Sequence, residues 1–146
     1  MTNPPSPLIL IAETEPEVVR CWPAFSELRP HLDRDAFVER WRAQHAEGYR
    51  IAYIADGERV AAVAGFRMLT TMAWGKIIYL DDLVAHPAKR GHGLGSALLQ
   101  WLQALARETG CAAIHLDTGY QRHAAHLAYL RNGFALDCHH LAWRVC

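Results

Sequence analysis

This 146-residue chain has no surplus of charge of either sign. Lysine and arginine number 15, aspartate and glutamate also number 15, and the formal net charge is zero. That balance argues against the broad cationic face a general nucleic-acid or polyanion binder needs. Cysteine is sparse and unpatterned. Cys21, Cys111, Cys138 and Cys146 form no C-x-x-C pair and lack the density of a disulfide scaffold. They point to a reducing cytoplasm and to roles as small apolar groups. No apolar run is long enough to cross a bilayer. No basic segment followed by a sustained apolar stretch opens the sequence, so no signal peptide is expected. Repeats, linkers and low-complexity segments are also missing. Hydrophobic residues make up 51%, which excludes a disordered chain. The length suits one substantial core, so a single domain over 1–146 is expected.

The order of elements follows from local chemistry. Met1 to Pro7 is proline-rich and reads as a loose tail, and Leu8–Ala12 as a first short strand. Thr14, with Glu17 three residues on and Pro16 between them, is a capping box that starts a helix reaching Leu28. Pro23 is expected to kink or split that helix. Asp33 caps a second helix through Glu47, with Phe37, Val38, Trp41 and His45 on one face. A three-strand meander follows: Tyr49–Ala55, a turn at Asp56-Gly57, Arg59–Leu69 with a bulge signal at Gly65, then Lys76–Ala85. The helix Gly93–Glu108 carries a core stripe of Leu94, Ala97, Leu98, Trp101, Leu102 and Leu105. A strand over Cys111–Asp117 should run parallel to the one before it. A shorter helix spans Gln121–Arg131, and Phe134–Cys146 is expected to supply one or two closing strands.

The richest stretch joins the third meander strand to the long helix: Lys89-Arg90-Gly91-His92-Gly93-Leu94-Gly95-Ser96. Alternate glycines leave the backbone free to turn tightly and to approach a ligand. The helix that follows offers unpaired N–H groups and the positive end of its dipole, which suits a pyrophosphate. Lys89 and Arg90 place cationic charge at the rim. A Walker loop is excluded, because no Gly-Lys-Ser/Thr closes the motif. The dinucleotide fingerprint fails too, since Ser96 stands where glycine or alanine belongs. A glycine-rich turn with no ligand is the alternative.

Arg90-x-x-Gly93-x-Gly95, after a strand ending Leu83-Val84-Ala85-His86-Pro87, resembles the pyrophosphate loop of the GNAT superfamily of N-acetyltransferases. A second segment, Ala125 to Phe134, resembles that family's A-x-x-x-Y-x-x-x-G-F helix. The likeness covers nearly the whole chain. At finer grain, YLDDLV and LDTGYQRHAAHLAYLRNGF are similar to a group of small bacterial members and leave the acceptor unspecified. The resemblance implies an α/β (α+β) fold. Its mixed central sheet would have an antiparallel N-terminal meander, two parallel central strands that splay apart, and about four helices. It also implies acetyl-coenzyme A as the cofactor, entering between the splayed strands, and direct attack by an amine in a ternary complex. On this reading Leu83, Val84 and Ala85 pair with the pantetheine arm and serve the carbonyl. Lys89, Arg90, Gly91, His92, Gly93, Leu94, Gly95 and Ser96 hold the pyrophosphate. Tyr129 protonates the departing thiolate, against the alternative of a buried tyrosine with a satisfied hydroxyl. Arg122 stands where many members carry asparagine, and phosphate is its implied partner. The acceptor is an amine on a small molecule or a protein, with neither nucleic acid nor membrane involved; a homodimer stays open.

Transfer to an amine needs a group that takes a proton, since a lysine-like amine has a reference pKa of about 10.4. Asp81 and Asp82 are the candidates for base or amine binding, with Asp117 at the end of the neighbouring strand. Strand alternation puts the first two on opposite faces, so only one should reach the acceptor cavity. Salt bridges to nearby arginines are the alternative role. The acceptor cavity is expected near Trp22, Phe25, Arg29, Phe66 and the C-terminal strands. His86 reads as a loop residue beside Pro87. His115, His123, His126, His139 and His140 crowd the C-terminal half near Cys138, but no third ligand completes a metal spacing, and none is assigned. Beside the transferase stand two further readings: a non-catalytic acyl-coenzyme A-binding module, and a metal protein built on these histidines.

Overall fold

The computed structural model describes residues 6–146. Most of the expected Met1–Pro7 tail therefore lies outside the described residues. The element order is β1 (Ile9–Ile11), α1 (Glu15–Leu28), α2 (Arg34–Ala46), β2 (Arg50–Asp56), β3 (Arg59–Thr71), β4 (Gly75–Ala85), a one-turn 3-10 helix (Pro87–Lys89), α3 (Leu94–Glu108), β5 (Ala113–Leu116) and α4 (His123–Arg131). The strands form one sheet in the order β1-β2-β3-β4-β5. The first three pairings are antiparallel, and β4 with β5 is parallel. This is the mixed sheet the sequence predicts.

Helix starts obey their caps. Thr14 and Glu17 exchange hydrogen bonds in the capping box, and Pro16 sits in the first turn. Asp33 Oδ1 accepts from Ala36 N–H at 2.8 Å. The expected break at Pro23 does not occur, and α1 runs continuously from Glu15 to Leu28. Val18, Cys21, Ala24 and Phe25 bury its inner face, so packing on the sheet holds the helix across the proline. Burial pushes the Cys21 thiol up to about 12, which keeps it uncharged and inert as a nucleophile.

The sheet separates two cores. One joins α1 and α2 to Ile51, Tyr53, Val63 and Val84. The other joins α3 to Ala62, Ala64, Phe66, Ile78 and Leu80, with Leu98, Leu99 and Leu102 fully buried. On β4, Ile78 and Leu80 face α3, and so do Leu83 and Ala85. Two odd-even sets on one face require one extra residue between them. The register supplies it: Gly65 pairs with Asp82 and Phe66 with Leu80, leaving Asp81 unopposed. The bulge that Gly65 signals in the sequence is therefore present, with the additional residue on β4.

The predicted closing strands are absent. From Ala135 to Cys146 the chain has no regular structure and every residue is exposed. β5 is consequently the last strand of the sheet, open on its outer side.

Gly65 lies beneath a side-chain pair, because a Cβ there would overlap the Tyr49 hydroxyl and stand 2.8 Å from Asp82 Oδ2. Gly65→Ala should destabilise the fold by about 1–3 kcal/mol, read as a lower urea midpoint with unchanged slope. An unchanged midpoint would mean that the bulge tolerates a side chain.

Candidate active site

The bulge decides where the two carboxylates go. Regular alternation would send Asp81 and Asp82 to opposite faces. The extra residue resets the alternation between them, and both project toward α1 and α2. The sequence expectation of opposite faces is corrected. Both line a cavity of about 300 Å³ with Phe25, Arg29, Arg40, Trp41 and Tyr49.

Each aspartate has its own partners. Asp82 is 9% exposed. Its Oδ2 accepts from the Tyr49 hydroxyl at 2.6 Å and its Oδ1 from Arg29 Nε at 2.9 Å. Arg29 also donates to the Asp81 carbonyl at 3.1 Å. Asp81 takes a two-pronged grip from Arg67, with Nε to Oδ2 at 2.9 Å and a terminal guanidinium nitrogen to Oδ1 at 3.1 Å. Arg67 in turn lies over the Tyr79 ring. Burial pushes the Asp81 carboxyl above the ordinary aspartate range, although Arg67 pulls the other way. Asp81 is thus a stronger proton acceptor than a free aspartate. The Tyr49 hydroxyl is pushed far up by burial and by the Asp82 charge, so it remains a donor.

The pairing of β4 with β5 ends at Leu80–Leu116, immediately before these aspartates. From Asp81 to Ala85 the β4 edge on that side has no strand beside it, which is the predicted splay. A cavity of about 70 Å³ occupies the opening, lined by Leu83, Asp117, Thr118, Gly119, Arg122 and Tyr129 together with both aspartates. Tyr129 reaches it from α4, its ring packed edge-on against Phe134 at 5.8 Å. Its hydroxyl makes no hydrogen bond among the described residues. Burial raises its pKa, partly offset by Arg122, so the proton stays on the oxygen. Arg122 shares this opening, and no residue of the glycine loop lines it.

The loop itself has the expected form. Gly91 and Gly93 take φ of 83° and 73°, the left-handed region open to glycine. A Cβ at Gly91, Gly93 or Gly95 would meet nothing within 4 Å, so the hollow over the loop is clear. Gly93 caps α3 without any side-chain bond, and the first intrahelical bond runs from Ala97 N–H to the Gly93 carbonyl. The N–H groups of Leu94, Gly95 and Ser96 precede it and are left for a ligand. An anionic pyrophosphate fits this end chemically. The rim differs from expectation. Lys89 pairs with Asp56 at 2.9 Å and Arg90 with Glu27 at 3.7 Å, so neighbouring acids already offset both cations. Ser96 Oγ accepts from Asn132 Nδ2 at 3.0 Å, tying the loop end of α3 to the last turn of α4.

Other expectations need revision. Phe66 lies on the opposite face of the sheet, edge-on to Trp101, and Trp22 packs into the α1–α2 core, so neither lines the acceptor cavity. Tyr49, Arg67 and Asn132 hydrogen-bond Asp82, Asp81 and Ser96 without having been singled out. Tyr49 is 33 residues from Asp82 in sequence, and only the sheet joins them. The histidines disperse: His115 stacks on Trp74, His126 bonds the Gly119 carbonyl, and His86 Nδ1 accepts from Ala88 N–H. Among the described residues, no group of three or more His, Cys, Asp or Glu side chains gathers to hold a metal.

Comparison with known proteins is consistent with this geometry. A sequence profile described as the acetyltransferase (GNAT) family matches residues 11–134. The uncharacterized N-acetyltransferase YhdJ of Bacillus subtilis is 28% identical over 83% of this chain and 87% of its own. An aminoalkylphosphonate N-acetyltransferase of Salmonella typhimurium is 32% identical over 73% of this chain and 71% of its own. The crystal structure of aminoglycoside N-acetyltransferase AAC(6')-Iy in complex with CoA superposes with a TM-score of 0.76, covering 99% of each chain at 14% identity.

Tyr49→Phe removes one donor from the buried Asp82 carboxylate. It should cost about 1–3 kcal/mol of stability, measured by denaturant unfolding. A neutral effect would show that Arg29 alone suffices to hold that carboxylate.

Proposed function

The chain belongs to the acetyltransferase (GNAT) family, and from that premise we propose that it is an acetyl-coenzyme A-dependent N-acetyltransferase acting by direct attack of a primary amine. The observation that carries this reading is the meeting, at one opening in the sheet, of an unbonded Tyr129 hydroxyl, a free stretch of β4 edge and two carboxylates. Acetyl-coenzyme A, when bound, supplies an acetyl group activated as a thioester. The chain's residues do the rest. The N–H groups of Leu94, Gly95 and Ser96 bind the pyrophosphate. The β4 edge at Leu83 to Ala85 donates to the carbonyl oxygen where negative charge develops.

The acceptor enters as an ammonium ion drawn to Asp81 and Asp82. Asp81 takes its proton, directly or through water, so that the neutral amine can attack. A carbon–nitrogen bond forms and the carbon–sulfur bond breaks. Tyr129 gives its proton to the departing sulfur and regains one from the new amide nitrogen through solvent. Tyr129 suits this role because it carries its proton and its hydroxyl, facing the opening, has no other hydrogen-bond partner among the described residues.

The cavity also holds the cations Arg29 and Arg40 beside the carboxylates, and the buried indole N–H of Trp41 has no partner among the described residues. This mixture suits a small acceptor that carries an anionic group as well as its amine. The relative named for aminoalkylphosphonates supports the same choice. A protein amine is the broader alternative. Among the described residues no helix is long and apolar enough to cross a membrane. A non-catalytic acyl-coenzyme A-binding module would require no proton donor at Tyr129.

Thiol release from acetyl-coenzyme A, followed with aminoalkyl acids and with plain alkylamines, tests the assignment. The aminoalkyl acids should turn over faster. Tyr129→Phe should lower kcat by about 10²-fold, the lower end for a general acid, with cofactor binding retained. Unchanged turnover in that variant would remove Tyr129 as the acid. Faster plain amines would remove the anionic-acceptor reading.

A further inference from the structure

The opening beside β4 is lined by six ionisable side chains: Arg29, Asp81, Asp82, Asp117, Arg122 and Tyr129. Its carboxylates already have partners. Arg29 holds Asp82, Arg67 holds Asp81, and His140 hydrogen-bonds Asp117 at 3.1 Å. Two groups are uncommitted. Among the described residues, neither the Tyr129 hydroxyl nor the half-buried Arg122 guanidinium has a side-chain hydrogen bond or an ion pair. A partly buried charge without a partner costs free energy. Arg122 is thus a cation kept open for an anion that arrives from outside.

The sequence spacing brings these two groups together. Arg122 caps α4, and Tyr129 follows two helical turns later, so both fall on one face. Helical side chains lean toward the helix N-terminus, which carries the tyrosine ring back toward the cap. The guanidinium field reaches the hydroxyl. Burial raises the Tyr129 pKa, Arg122 opposes that rise, and the Asp82 charge adds to it. No residue of the glycine loop lines this opening, so a phosphate held at the start of α3 is not what Arg122 faces.

On the acetyl-transfer reading, negative charge appears in this opening at two atoms in turn. Breaking the carbon–sulfur bond leaves its electron pair on sulfur. The thiolate then takes the Tyr129 proton, and the charge moves to the phenol oxygen. A cysteine-like thiol has a reference pKa of about 8.5 and a tyrosine about 10, and burial pushes Tyr129 higher still. That proton transfer is uphill unless a fixed cation stands beside both atoms. A guanidinium serves because it does not give up its own proton. We propose that the Arg122 guanidinium binds the coenzyme A sulfur and carries its negative charge as the carbon–sulfur bond breaks, with Tyr129 completing the protonation. The proposal rests on the transferase reading for its chemistry and replaces the phosphate contact that the sequence position implies.

Calorimetric titration of the cofactor-free protein with coenzyme A, at about pH 8 and so just below the ordinary thiol value, tests this. Repeating it in buffers of different ionisation enthalpy counts the protons released. A site that favours the thiolate lowers the thiol pKa, so coenzyme A that is mostly protonated in solution must shed protons on binding. Wild-type protein should show that release. Arg122→Gln should lose it, Arg122→Lys should keep it, and S-methyl-coenzyme A should show none with any of the three. Arg122→Gln should bind acetyl-coenzyme A as wild type does, while kcat for thiol release falls by about 10²-fold, as when one donor to developing charge is removed. Equal proton release by wild type and Arg122→Gln would overturn the proposal. So would weaker acetyl-coenzyme A binding with unchanged kcat, which would make Arg122 a phosphate ligand. Release that depends on Arg122, in a protein that turns over no amine, would support the sulfur contact and overturn the transferase reading instead.

Discussion

Gly65 has no side chain, and the arrangement of the site depends on that. Tyr49 and Asp82 meet directly above its Cα, where a methyl group would collide with the tyrosine ring. The space admits the hydrogen bond that holds a buried carboxylate, and the carboxylate in turn orients Arg29. Opposite the glycine, β4 carries one residue too many, so Asp81 joins Asp82 on the cavity side instead of facing α3. Isolated charges would not stay buried there. Arg67 and Arg29 supply the counter-charge, and the shifted register becomes a place where two acids and two guanidinium groups share one wall.

The same point in the sheet is where pairing changes. β5 leaves β4 at Leu80, and from the next residue the β4 edge is free. The carboxylates therefore mark the boundary between a continuous sheet and an opening reached from α4 by Tyr129. The glycine loop follows a few residues later and begins α3 with three unpaired N–H groups. One strand thus brings two carboxylates and an unpaired edge, followed by a glycine loop that opens a helix, in sequence order. This explains why the stretch from Asp81 to Ser96 carries so much of the proposed chemistry. Asn132 then fixes α4 to the loop end of α3, so that Tyr129 and the loop keep their relation.

Much of this was legible without coordinates, for local reasons. Thr14 and Glu17 cap a helix by contacts three residues apart. Gly91 and Gly93 make a loop through their own backbone freedom. Asp56-Gly57 turns a hairpin with Gly57 at a φ of 63°. What failed was non-local. Alternation assigned Asp81 and Asp82 to opposite faces because a bulge resets the period, and Gly65 alone does not say which strand takes the extra residue. Tyr49 gave no signal, since its role exists only once β2, β3 and β4 are side by side. The rim cations looked free because Asp56 and Glu27 are distant in sequence. The closing strands expected over Phe134–Cys146 rested on local composition, and in the structure that segment pairs with no strand.

The most direct test of the account is calorimetric titration of the folded, cofactor-free protein with acetyl-coenzyme A, with NAD and ATP as controls. The account predicts saturable binding of acetyl-coenzyme A, no comparable heat from either control, and loss of that binding when Gly93 is replaced by a bulky residue. No binding of acetyl-coenzyme A to protein that is demonstrably folded would contradict it, and the glycine loop would then be a turn without a ligand.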